Sequence, residues 1–237
     1  TNFSLRNLFN FKKYRPLPQG DGQTLTLSAQ TNGMYYQAYS LSFTEPWLGG
    51  KRPNSLSFSI YYSIQSGVSS TYSSNYSSTY YGDNSWYSYD YDPDKYIKTL
   101  GVTLGLGTRL NWPDDYFTLY GQLGYLNYDL SNWSYFALTD GVANNFNISA
   151  TLSRNSLDQP IYPSRGSDIS LSVALTPPYS LFDGVDYENA SMQEKYKWIE
   201  YYKIKFKSKF FFPLTPDNKL VLMGRAEFGF LGYYNIH

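Results

Sequence analysis

An all-β fold, an antiparallel up-and-down transmembrane β-barrel, is predicted by three observations. Apolar and polar residues alternate with period two along most of the 237 residues, the pattern of strands with one dry and one wet face. No apolar run approaches the roughly 18 residues that a membrane-spanning helix needs. The 27 Tyr, 15 Phe and 5 Trp make the chain 20% aromatic while only 16% is charged, well under the roughly 25% of soluble domains.

Turn signals divide this pattern into ten expected strands, near residues 2–9, 23–31, 35–45, 55–64, 96–111, 116–129, 143–156, 167–176, 199–212 and 219–230. The first rests on Asn2-Phe3-Ser4-Leu5. The second sets Leu25, Leu27 and Ala29 against Thr24, Thr26 and Ser28; the third runs to Glu45. The fourth sets Leu56, Phe58, Ile60 and Tyr62 against Ser55, Ser57 and Ser59. In the fifth, Leu100, Val102, Leu104 and Leu106 alternate with Gly101, Thr103, Gly105 and Gly107, and Gly105 and Gly107 read as inward glycines near a crowded lumen or a bend. The sixth opens on the aromatic pair Tyr116-Phe117. The seventh and eighth repeat the rule with Phe146, Ile148, Ala150 and Leu152, then Ile169, Leu171, Val173 and Leu175. The ninth is the strongest, with Tyr202, Ile204, Phe206, Phe210 and Phe212 on one face and Lys203, Lys205, Lys207 and Lys209 on the other. The tenth follows the breaker run Pro213 to Asn218. Long surface loops are expected near 65–95, 130–142 and 177–197, a short turn is conceivable within Tyr187 to Tyr196, and residues 1–237 read as part of one barrel domain.

A soluble β-sandwich would use the same alternation with its apolar set buried. Strands of 11 to 16 residues favour the barrel, since roughly 9–11 tilted residues cross a bilayer. So do aromatic residues at strand ends, among them Tyr35, Tyr36, Trp47, Trp112, Tyr116, Phe117, Trp133, Tyr135, Trp198, Tyr201 and Tyr202, which suit interfacial girdles.

Most catalytic classes lack their residues. There is no Cys, the one His is His237, and 19 basic residues cancel 19 acidic ones. Thiolate and His-based zinc sites and the Ser-His-Asp triad are therefore excluded, and binding of nucleic acid through bulk positive charge is disfavoured. Asp90, Asp92 and Asp94 alternate in what reads as a solvated acidic loop, without the glycine and terminal Glu of a calcium loop. Asp114-Asp115 and Glu194 with Glu200 read as solvated carboxylates. No catalytic residue, metal site or cofactor is expected, and the chain reads as no enzyme. The four lysines cannot face lipid, where each costs roughly 2–4 kcal/mol near the midplane. They read as a lumen-facing basic row, either hydrated or paired with acidic lumen groups or an inserted loop.

Two turns carry a family resemblance. Ser42-Phe43-Thr44-Glu45-Pro46-Trp47-Leu48-Gly49-Gly50 ends a strand in a Thr-Glu-Pro-aromatic turn. In Leu157-Asp158-Gln159-Pro160-Ile161-Tyr162-Pro163-Ser164-Arg165-Gly166, Asp158 precedes Pro163 by five residues and Gly166 follows it by three. Physically, Pro46 and Pro163 stop strand pairing, Trp47 can anchor at an interface, Asp158 can cap its turn and Gly166 can take a positive φ. With these motifs the chain resembles the barrel domain of the BamA-like outer-membrane protein assembly factors, in which both turns precede or follow barrel strands. Glu45, Pro46, Trp47, Asp158, Pro163 and Gly166 are structural markers in that comparison.

The resemblance implies the second to eleventh strands of a barrel of roughly sixteen. The first strand, the last five, the periplasmic POTRA repeats and the Arg-Gly-Phe lumen-loop motif are expected outside these residues; Gly224-Arg225-Ala226 is no substitute for that motif. It further implies a central barrel of the machinery that folds and inserts β-barrel proteins in the outer membrane of Gram-negative bacteria, working by strand-edge pairing and local membrane perturbation. The implied partners are outer-membrane lipids, client outer-membrane β-barrel proteins, and accessory lipoproteins or other assembly subunits. A related two-partner secretion or translocation pore, a passive porin and a soluble β-sandwich binding protein are the rival functions.

Overall fold

The computed structural model describes residues 3–8, 21–49, 54–74 and 85–234. Nine strands form one antiparallel sheet in chain order: β1 (Thr24–Asn32), β2 (Tyr36–Glu45), β3 (Asn54–Ser74), β4 (Ser85–Arg109), β5 (Phe117–Ser131), β6 (Gly141–Asn155), β7 (Gly166–Leu175), β8 (Tyr202–Pro213) and β9 (Val221–Gly232). Every connection joins neighbours, and β1 and β9 are unpaired with one another among the described residues. An open up-and-down sheet of this kind fits part of a barrel.

The register sorts side chains cleanly. One row runs Leu25, Phe43, Phe58, Leu104, Leu123, Ile148, Leu175 and Tyr202 across β1 to β8. The adjacent row, one residue along, runs Thr24, Thr44, Ser57, Gly105, Gln122, Ser149, Ala174 and Lys203. Successive residues of a strand point to opposite faces, so the sheet has one apolar and one polar face. Leu27 is 71% exposed, Leu106 53% and Phe228 68% on the apolar face, and no second sheet covers it among the described residues. That arrangement is unfavourable in water and natural in a bilayer, so the sandwich reading fails.

Two sequence expectations are corrected. Residues 2–9 do not form a strand where they are described: Phe3 makes a single antiparallel bridge to Gln23, and Leu5–Leu8 is one helical turn, α1. Ser4 starts it by accepting the Asn7 N–H at 3.2 Å, as N-cap serines do. The span 65–95 is not a loop either, because β3 continues to Ser74 and β4 begins at Ser85, paired from Gly67↔Asp92 to Ser74↔Ser85. Hydrophobic alternation cannot reveal a hairpin made of Ser and Tyr. Its register slips between Ser66 and Gly67, leaving Pro93, Asp94 and Lys95 without β3 partners, where proline has no N–H to donate. Residue 2, residue 9, Gly50 and positions 75–84 lie outside the described residues.

The chain closes one edge by a different means. Within β6, residues 141–147 lie beyond the first β6–β7 pair, Ile148↔Leu175. The connection between β7 and β8 fills the gap. Its helical turn α2 (Met192–Lys195) opens on a capping box between Ser191 and Glu194. Gln193 then presents its carboxamide as a false peptide, accepting the Val142 N–H at 3.1 Å and donating to the Val142 carbonyl at 2.8 Å. Beyond it, Asn144 N–H donates to the Lys197 carbonyl and Ile199 N–H to the Asn144 carbonyl, at 2.9 and 2.8 Å. An edge that would otherwise present unpaired backbone groups is thus covered.

Candidate functional site

Both marker turns sit at the same end of the sheet and each is organised by its own carboxylate. Glu45 closes β2; its carboxylate accepts the Trp47 N–H at 3.0 Å and the Gln23 side-chain amide at 2.5 Å. It therefore ties the turn to the start of β1, where Gln23 also holds Phe3 and Leu5. Pro46 follows, the turn continues through Gly49 at φ 82°, and Trp47 is 58% exposed.

In the second turn Asp158 Oδ1 accepts the N–H groups of Ser164 at 3.0 Å and Arg165 at 3.3 Å. Desolvation pushes this carboxyl up, but the backbone donors outweigh it and hold it below the usual aspartate range. Pro163 lies between Tyr162, at φ 56°, and Ser164. Gly166 stands at φ 107°, and any Cβ there would collide with the Ser156 carbonyl oxygen, so the residue is restricted to glycine on two counts. The structure keeps the two turns apart: the first joins β2 to β3 and the second β6 to β7. Four strand spacings separate them, roughly 19 Å.

Between them lies a node that sequence reasoning missed. Arg154, in β6, donates to Asp114 Oδ2 at 2.9 Å, to Ser156 Oγ at 2.8 Å and to Ser167 Oγ at 2.7 Å. Its guanidinium also lies 5.5 Å from the Tyr116 ring centroid. The residue is on the apolar face, in the row Phe117, Arg154, Ile169 and Ser208. Three hydrogen bonds, one of them to a carboxylate, make that position tolerable for a permanent charge. Desolvation raises the Asp114 pKa, but the Tyr116 N–H and Arg154 outweigh it and leave it lowered. Only the distance in sequence between Asp114 and Arg154 concealed the pair.

The polar face is built from hydroxyls laid over glycines. Ser57 Oγ and Tyr120 Oη are 2.8 Å apart, Ser59 and Thr103 hydroxyls 2.6 Å, and Thr151 and Ser172 hydroxyls 2.9 Å. Tyr61 occupies the space a Cβ on Gly101 would take, and the Tyr120 hydroxyl does the same at Gly105. The crowding expected around Gly105 is therefore real and has a named cause, and Gly101 shares it.

The loop from Asn132 to Asp140 folds over this polar face. Trp133 and Leu138, each 6% exposed, bury against Ile97, Leu130 and Ala143, positions that all point to the polar side by register. Trp133 is therefore not a girdle residue; its indole anchors an inward loop. Between this loop and β3 to β5 lies an open cleft of about 710 Å³ lined in part by Tyr61, Gln65, Lys95 and Tyr128. Trp198 also leaves the expected girdle and stacks on Tyr179 at 4.7 Å.

Lys203, Lys205, Lys207 and Lys209 all lie on the polar face, opposite Ala174, Ser172, Ser170 and Asp168 of β7 and Leu231, Gly229, Glu227 and Arg225 of β9. Successive lysines are roughly 6.8 Å apart along the strand. Each neighbouring pair repels by about 0.6 kcal/mol in water and more where water is scarce. Glu227 is held by Arg225 at 2.7 Å, and none of the four lysines forms an ion pair among the described residues.

Three of the candidate carboxylates are engaged elsewhere. Asp114 is held by Arg154, Glu194 serves its capping box, and Glu200 accepts from the Ser180 N–H and hydroxyl. The Asp90 to Asp94 segment lies in β4 rather than a loop, with Asp92 3.8 Å from Lys95. No group of three metal-ligating side chains occurs among the described residues.

Residues 19–236 match the model of the Omp85 superfamily domain. The fold is similar to that of the crystal structure of BamA from Haemophilus ducreyi lacking POTRA domains 1–3, with a TM-score of 0.59 at 20% sequence identity. The similarity covers 91% of this chain and 36% of that one.

Proposed function

This chain belongs to the Omp85 superfamily, and from that premise we propose that it supplies part of the barrel of an assembly factor that folds and inserts other β-barrel proteins. Superfamily membership makes it an outer-membrane β-barrel protein. The reading is supported by one observation: a nine-stranded up-and-down sheet among the described residues, whose exposed apolar face needs lipid and whose fold is similar to part of a BamA structure. In this reading client strands pair with an exposed strand edge of the whole protein while its barrel perturbs the surrounding bilayer. Outer-membrane lipids, client barrel proteins and accessory subunits are its partners, and no step of it needs a catalytic group.

A passive porin fits less well. Selectivity in porins relies on charged side chains at a constriction, whereas the inward loop here is anchored by Trp133 and Leu138. The turn markers Glu45, Asp158 and Gly166 serve the barrel rather than the client in this reading, since Glu45 binds its own turn and the start of β1, and Asp158 and Gly166 shape the turn between β6 and β7; Pro46, Trp47 and Pro163 stand in the same two turns.

The test is depletion of the full-length protein in its own host, followed by quantitative proteomics of the outer membrane and the medium. Loss of many barrel proteins, with lipoproteins retained, is the expected result. Retention of all barrel proteins with loss of a single secreted protein would replace the reading with a translocation pore.

A further inference from the structure

The ionised residues of the polar face are not spread evenly. Across β1 to β6, from Ile97 of β4 to the turns, Arg109 is the one charged residue on that face among the described residues, and its guanidinium serves the Asp115 carbonyl in the adjoining turn. Across β7 to β9 there are seven: Lys203, Lys205, Lys207, Lys209 and Arg225 against Asp168 and Glu227. One acid, Glu227, is bonded to Arg225 and also lies in the field of Lys207 and Lys209, which leaves the patch with an excess of positive charge. The two halves also differ in cover. The loop anchored by Trp133 lies over β4 to β6, whereas among the described residues β8 and β9 contact no other helix or strand than their sheet neighbours.

We propose that the polar face of β7 to β9 seats an acidic stretch of a client polypeptide in extended conformation, held by Lys203, Lys205, Lys207 and Lys209. This rests on the assembly reading above and adds to it the chemistry of what the lumen holds. The lysines recur at roughly 6.8 Å, the distance between alternate side chains of any extended chain. Asp or Glu at every second position therefore meets every lysine in turn, and the spacing lies within the roughly 8 Å screening length at physiological salt. The row spans three such intervals, about 20 Å, longer than a small anion. Beside it the Ser170 hydroxyl stands on the same face, able to accept from or donate to the backbone of a seated segment, while the neighbouring Ser172 hydroxyl is paired with Thr151. The row's position on the face turned away from lipid excludes lipid headgroups.

The test places a photo-crosslinking amino acid at Ser172, and separately at Ser170, in the full-length protein in living cells, and identifies the adducts by mass spectrometry. Adducts to polypeptides other than the chain itself, at stretches with alternating acidic residues, are expected. Replacing all four lysines by Gln should reduce their yield by more than about tenfold, since four exposed ion pairs each contribute roughly a factor of two. The Lys→Arg quadruple, which keeps the charge, should retain the adducts, and raising the salt in the wild type should diminish them; these two hold even where the Gln variant does not fold. No adduct, adducts only to lipid, adducts to a segment of the same polypeptide, or a yield indifferent to both charge and salt would each overturn the proposal. The barrel-protein levels of the depletion experiment are read separately, so failure here with barrel loss there removes the acidic seat and leaves the assembly function standing.

Discussion

Replacing Gly141 by Ala tests the strap that covers the upper edge of β6. Gly141 sits at φ 120°, and a Cβ there would meet the Gln193 side-chain amide. The backbone strain alone costs about 2 kcal/mol, within the usual range for such conformations. The collision is relieved only if the Gln193 carboxamide leaves, which breaks its two bonds to Val142, worth about 1 kcal/mol each. Gly141→Ala should therefore cost about 4 kcal/mol and Gln193→Ala about 2 kcal/mol. The double variant should cost no more than Gly141→Ala alone, because the first change has already expelled the side chain the second removes. That is a coupling of about 2 kcal/mol, roughly thirtyfold in the folding equilibrium. Urea titration of the full-length protein in detergent micelles, followed by the gel-mobility difference between folded and unfolded barrels, measures all three variants. Strict additivity would refute the strap, since it would mean that Gln193 and Gly141 do not share the space the structure gives them.

Three further outcomes follow from the same contacts. Asp158 has a folded pKa below its unfolded value of about 3.9, so its contribution is fully present above that pH and is lost as pH falls through the depressed folded value; Asp158→Asn should abolish this part of the acid dependence in a pH series of urea midpoints. Gly101→Ala should destabilise by about 1–3 kcal/mol by overpacking against Tyr61, and adding Tyr61→Ala should recover part of that loss in the same titration. Arg154→Ala should lower the unfolding temperature in a heating series, with Arg154→Lys restoring less than half, because an ammonium cannot reach Asp114, Ser156 and Ser167 together as the guanidinium does; full rescue by Lys would show that charge alone matters there.

How much was legible depended on how local the cause was. Strands such as β7 and β8 announce themselves because each side chain's face is decided by its own position, and Lys203 to Lys209 can be assigned to the polar face from sequence alone. The turn at Asp158 was equally plain, since its carboxylate caps N–H groups only six and seven residues away. Phe3 and Ser4 misled because two or three alternating residues cannot distinguish a strand from a capped helical turn. The Ser/Tyr hairpin of β3 and β4 misled for the opposite reason: its pairing is made by backbone and carries no apolar stripe to read.

The sequence by itself determined an all-β, up-and-down membrane barrel with a greasy face, a wet face and a cationic row, because period-two alternation and the expense of burying charge in lipid are properties of each strand taken singly. Only the tertiary structure decided that Trp133 turns inward, that Arg154 joins two turns 40 residues apart in sequence, and that Gln193 completes an edge begun 51 residues earlier. Those choices depend on which strand ends fall short of their neighbours and what lies within reach of the gap, and register across a whole sheet is not written in any one of its strands.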